Sequence, residues 1–74
     1  MKGMYIIKAR LKDLLEVLDM RATVNIFINE KNIIRYAEVY ELAADKEFIE
    51  TYGDREVIGF IRVINVTNIM IEEV

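Results

Sequence analysis

The sequence predicts a two-layer α+β fold: an antiparallel four-stranded sheet with two short helices, in the order α-β-β-α-β-β. Three observations carry this expectation. An αββ pattern occurs twice, at a spacing of about 35 residues, and each copy ends in two apolar runs separated by a polar break. Two short helices can cover only one face of such a sheet, which limits the layers to two. A chain of 74 residues has room for one small domain, spanning residues 1–74.

At the N-terminus, residues 4–9 (MYIIKA) are a candidate extra strand, although they do not alternate cleanly. Asp13 followed by Glu16 has the spacing of a capping box, in which each side chain satisfies an orphan backbone N–H. Leu11, Leu14, Leu15 and Leu18 fall on one stripe of a 3.6-residue period. The first helix is therefore expected from residue 12 or 13 to 19 or 20, with its leucines in the core.

Residues 23–28 alternate, with Val24, Ile26 and Ile28 on one face and Thr23, Asn25 and Phe27 on the other. A polar break over 29–32 leads into a second strand from Ile33 to Val39 or Tyr40, which makes an antiparallel hairpin. Reading 41–53 as one helix would turn Glu41 and Asp45 into the apolar arc of Leu42, Ala44, Phe48, Ile49 and Tyr52. Carboxylates facing a core are costly. A shorter helix over 46–52 avoids part of this, with Asp45 as its N-cap and Gly53 as a left-handed stop.

The closing segment, VIGFIRVINVTNIMIEEV, is the most apolar run of the chain. It reads as a strand over 56–64, a turn at 65–68 and a final apolar strand from Ile69. Apolar residues on both faces of 57–64, together with Gly59, point to an interior strand covered on both sides. Phe27, Tyr36, Tyr40 and Phe60 are expected on or near the open face of the sheet.

Composition excludes more chemistry than it suggests. The chain has no Cys and no His, which removes disulfides and the usual zinc sites. Ser is absent too, so no serine or cysteine nucleophile stands beside an imidazole. The three glycines are isolated, and none builds a phosphate loop. Glu72 and Glu73 are adjacent and would point to opposite faces of a strand, so they cannot converge on a substrate or cation. A non-enzymatic protein without cofactors or metal is expected.

Domains this small bury only roughly 60% of their unfolded surface, and oligomerisation is the stabiliser that remains when disulfides and metals are absent. No apolar stretch approaches the roughly 20 residues of a membrane helix. Residues 4–7 are also too short for the apolar core of a secretory signal, so a cytoplasmic location is expected.

A net charge of −3 argues against direct nucleic-acid binding. The charges are segregated, however. Residues 1–37 carry seven Lys/Arg against four acids, a net of +3, and 57–74 contribute −1. Residues 38–56 carry seven acids against Lys46 and Arg55, a net of −5. One reading is a solvated helix with its flanking loops. The functional reading is an acidic patch that steers association with a basic protein surface. Its candidate contact residues are Tyr36, Glu38, Tyr40, Glu41, Glu47, Glu50 and Asp54. Self-association of the basic half on the acidic half, as in a homodimer, is the competing use of the same asymmetry.

The pattern LKDLLEVLD at 11–19, followed by TVNI at 23–26 and DREVI at 54–58, resembles small uncharacterised proteins of Gram-positive phages and integrative mobile elements. The likeness covers residues 11–74, and the longer N-terminus departs from it. These motifs are leucines and caps, which transfer no functional residues. What the resemblance implies is a setting: accessory proteins acting inside a host cell, where inhibitors of host defence, anti-CRISPR proteins among them, are frequent. The expected function is binding of a host protein, with a nucleic-acid-binding defence nuclease as the named candidate. The alternative is a self-assembling scaffold domain.

Overall fold

The computed structural model describes residues 9–73. Its elements are α1 (Leu11–Val17), β1 (Thr23–Ile28), β2 (Lys31–Glu38), α2 (Val39–Ala43), α3 (Lys46–Tyr52), β3 (Val57–Val63) and β4 (Val66–Ile71). They form an α+β domain of two layers, with the helices packed on one face of the four-stranded sheet. The expected strand over 4–9 lies outside the described residues apart from Ala9, whose carbonyl accepts the Val57 N–H at 2.8 Å.

The sheet is mixed, and this corrects the all-antiparallel expectation. Both hairpins are antiparallel as predicted, β1 with β2 and β3 with β4. The strand order is β2-β1-β4-β3, and the hairpins join through β1 and β4, which run parallel in unbroken register from Thr23↔Val66 to Ile28↔Ile71. The two central strands alternate in burial. Val24 and Ile26 of β1 and Ile69 and Ile71 of β4 are fully enclosed, as parallel strands inside a sheet require. Leu11, Leu14 and Leu15 of α1, Val39 and Leu42 of α2, and Phe48 of α3 close over them. Each side chain of this kind contributes about 1.5–3 kcal/mol when removed from water. Leu18, the fourth leucine of the predicted stripe, is half-buried against the same cluster.

Among the described residues there are three helices where two were expected. Val39 and Tyr40 open α2 instead of extending β2. Val39 and Leu42, three residues apart, point one stripe into the core, and a Glu38–Glu41 capping box starts the turn. The conflict anticipated for one long helix is resolved by a break at Ala44–Asp45. α3 then begins as predicted, with the Asp45 carboxylate accepting the Phe48 N–H at 3.0 Å.

Two predicted caps are wrong. α1 begins at Leu11, and Asp13 sits in its first turn with no capping bond from the Arg10 N-cap side chain. Backbone carbonyls take that role. The Leu11 N–H donates to Arg55 O and the Lys12 N–H to Gly53 O, both at 2.9 Å, so the α3–β3 connection satisfies the first orphan donors of α1. Gly53 is not left-handed either, with φ −61° and ψ −30°. Its requirement is space, because a Cβ there would collide with the Ile49 carbonyl oxygen.

Among the described residues β3 is an edge strand, where an interior strand covered on both sides was expected. Only Val57 is buried, while Ile58, Phe60, Ile61, Val63 and Ile64 are exposed. The hairpin turn also lies earlier than predicted. Ile64 and Asn65 form it, and Val66, Thr67 and Asn68 belong to β4. Ile64 has φ 58°, a left-handed conformation that is strained for a β-branched residue, and it is 85% exposed. The first hairpin is tightened in the same way, to Asn29-Glu30, with Asn29 at φ 58°.

Replacing Gly53 by Ala forces a methyl group onto the Ile49 carbonyl and should cost about 1–3 kcal/mol. Urea unfolding measures this, and an unchanged midpoint would mean that the close approach relaxes without cost.

Candidate protein-binding surface

The structure divides the seven sequence-predicted contact residues into three groups. The first is at the β2–α2 junction. Here β2 carries one extra residue, since Val24 pairs with Ala37 and Ile26 with Ile34. Tyr36 sits in this bulge at φ 51°, and its N–H donates to the Asn25 carboxamide oxygen at 2.8 Å. The bulge turns the Tyr36 side chain into solvent, 70% exposed. The Asn25 amide in turn donates to Asn68 Oδ1 at 3.0 Å, so the strained residue is tied to the middle of the sheet.

Four residues further on, Tyr40 stands half-exposed on α2 between two carboxylates. The nearby charges of Glu38, then of Glu41, with slight desolvation and a hydrogen bond to Glu38, push its phenol above the ordinary value of 10.0. The neutral phenol is favoured in the folded state. Its contribution to stability is therefore present below pH 10 and is lost as pH climbs through the raised value.

Both acids also serve the backbone. Glu41 Oε1 accepts the Glu38 N–H at 3.0 Å, and Glu38 is the half-buried N-cap of α2. Their charge remains outside while their geometry is held by the helix start.

Glu47 and Glu50 form the second group, one turn apart on α3 and exposed. No ion pair among the described residues engages either of them. Asp54 is alone in the third group. It lies beyond α3, with Lys12 Nζ at 3.0 Å and Arg10 Nη1 at 3.8 Å. The hydrogen bond and charge of Lys12, then the Arg10 charge, hold its carboxyl below the usual range despite some desolvation. Its negative charge therefore faces two cations of the same chain, unlike that of Glu47 and Glu50.

Sequence reasoning missed the exposed apolar edge of β3. Five of the exposed large hydrophobic residues fall within 58–64, in one continuous stretch. The double-faced apolar pattern was a signal for this strand, but burial and partner binding produce the same pattern. Among the described residues, no group of three or more Asp or Glu is placed to hold a metal ion, and no helix is long and apolar enough to cross a membrane.

Replacing Glu38 by Gln removes the largest influence on Tyr40 and should bring its phenol back toward 10.0. An NMR titration of the ring resonances reads this directly. A Tyr40 titration identical in wild type and variant would place the cause elsewhere.

Comparison of the chain with protein-family models, with curated proteins and with solved structures finds no match.

Proposed function

We propose that this chain is a non-enzymatic protein-binding module whose contact surface is the acidic–aromatic face of Tyr36, Glu38, Tyr40 and Glu41, extended by Glu47 and Glu50. The observation that carries the reading is Tyr36. A tyrosine held at φ 51° and 70% exposed costs conformational energy without filling the core. Exposed tyrosines are favoured anchors in protein interfaces, because they offer large contact area with few rotatable bonds. Beside them, uncompensated carboxylates supply a field that steers a basic partner.

The partner class is a host protein with a basic surface. In the setting implied by the resemblance to phage and mobile-element proteins, a nucleic-acid-binding defence nuclease has that surface, and occupying it would inhibit the nuclease. The charge-reversed variant Glu47→Lys/Glu50→Lys leaves the α2 capping box intact and tests the patch. Affinity capture from lysate of a Gram-positive host should recover a basic protein with the wild type and lose it with the variant or with Tyr36→Ala. Equal capture by all three would remove the patch from the reading.

A second reading, self-assembly, is favoured by a different observation. β3 presents an unpaired apolar edge beyond Val57 among the described residues, and such edges are templates for pairing with another strand. A homodimer joined edge to edge would extend the sheet and cover Ile58, Ile61 and Val63. Light scattering over a concentration series should then show association that Ile61→Lys abolishes. A monomer at every concentration rules this reading out.

A further inference from the structure

Where α1 ends, a groove of about 500 Å³ opens between the α1–β1 connection and the β3–β4 hairpin. That size falls within the roughly 300–1,000 Å³ of small-molecule sites. Leu18, Ala22 and Phe60 give it an apolar wall, and Arg21, Arg62 and Thr67 bring polar groups to the same space. Such sites are typically built from an apolar lining with a few convergent polar groups.

Two features separate this groove from an ordinary surface dip. The first is Thr67, the one buried polar side chain among the described residues, at 7% exposure. No side-chain hydrogen bond joins it to another described residue. Thr67 lines the groove, and its hydroxyl is not a sealed oxygen lacking a partner.

The second is charge. The ion pairs among the described residues all involve Asp54, and neither Arg21 nor Arg62 takes part in one. Asp19 also lines the groove, but one of its carboxylate oxygens already accepts the Arg21 backbone N–H at 2.9 Å. Two guanidinium groups against one carboxylate leave local positive charge in a chain of net charge −3. Arg62 is placed by the sheet, as the register partner of Thr67, so its fork and the buried hydroxyl come from paired positions.

We propose that this groove binds a small organic acid, with its carboxylate or phosphate between Arg21 and Arg62 and its apolar body against Phe60 and Leu18. A planar guanidinium matches either anion through two parallel N–H donors, and the Thr67 hydroxyl supplies a third donor at the buried end. The site uses residues apart from the acidic–aromatic face and does not depend on that reading.

An amide NMR titration of the whole chain with hydrocinnamate, phenyl phosphate and acetate tests the proposal. Saturable shifts should cluster at Arg21, Ala22, Arg62 and Thr67. Acetate, which lacks the apolar body, should bind about tenfold more weakly than the aryl anions. Arg62→Gln and Arg21→Gln should each weaken the aryl anions about tenfold, and Arg62→Lys, which keeps the charge without the fork, should recover part of the loss. Both arginines are exposed, and the same spectra report whether each variant is folded, so either one suffices. Binding to only one of the two aryl anions still supports the site and identifies its head group. Shifts that never saturate, equal binding of acetate, or aryl binding unchanged in the glutamine variants would each overturn the proposal.

Discussion

The parallel contact between β1 and β4 is the constraint on which this domain depends. Each αββ half has only a hairpin and a short helical segment, too little to enclose a core alone. Joined along six register pairs, the halves place Val24, Ile26, Ile69 and Ile71 side by side under one helical roof, with every one of them sealed from water. The roof leans on the same junction. α1 from the first half takes its N-terminal capping carbonyls from Gly53 and Arg55 of the second. Sheet and helical layer are therefore each assembled from both halves, and neither half has a private interior.

This arrangement also explains where the surface features fall. Burial is concentrated at the centre, and the outer strands contribute less to it. β2 uses its freedom to bulge and expose Tyr36. β3 keeps only Val57 in the core and presents the rest of its apolar side chains to solvent. The acidic α2 sits against β2, while the arginine-lined groove opens at the end of α1 beside β3. A small sheet thus offers two chemically opposite surfaces, an acidic and aromatic one and a local basic one.

Much of this was legible wherever the governing interaction is local. The leucine stripe of α1, the alternation of β1, the Asp45 cap and bounds of α3, and both hairpins follow from spacing and side-chain chemistry within a few residues. The misses are non-local. Nothing in residues 23–28 or 66–71 announces that these strands run parallel, because that depends on which hairpin edges meet. Asp13 looks like a cap until the helix is found to begin two residues earlier, where distant carbonyls of Gly53 and Arg55 take the first N–H donors. Among the candidate contact residues, charge segregation located the acidic segment, but it did not reveal that Lys12 and Arg10 pair with Asp54 across the fold. β3 misled most, since an apolar run on both faces fits a buried strand as well as an exposed one.

The asparagine pair at the centre of the sheet decides between alternatives that hydrophobicity leaves degenerate. A slip of β4 along β1 by one residue would exchange its core and open faces and is excluded by burial alone. A slip by two residues keeps every apolar side chain on its own face, and the alternating pattern cannot oppose it. Such a slip would set Asn25 beside Val66 or Met70 and leave a half-buried carboxamide without its Asn68 partner, a loss that the native pairing at 3.0 Å avoids. Asn25 and Asn68 therefore work as a key, selecting one sliding position among those that the greasy face of the sheet would accept equally.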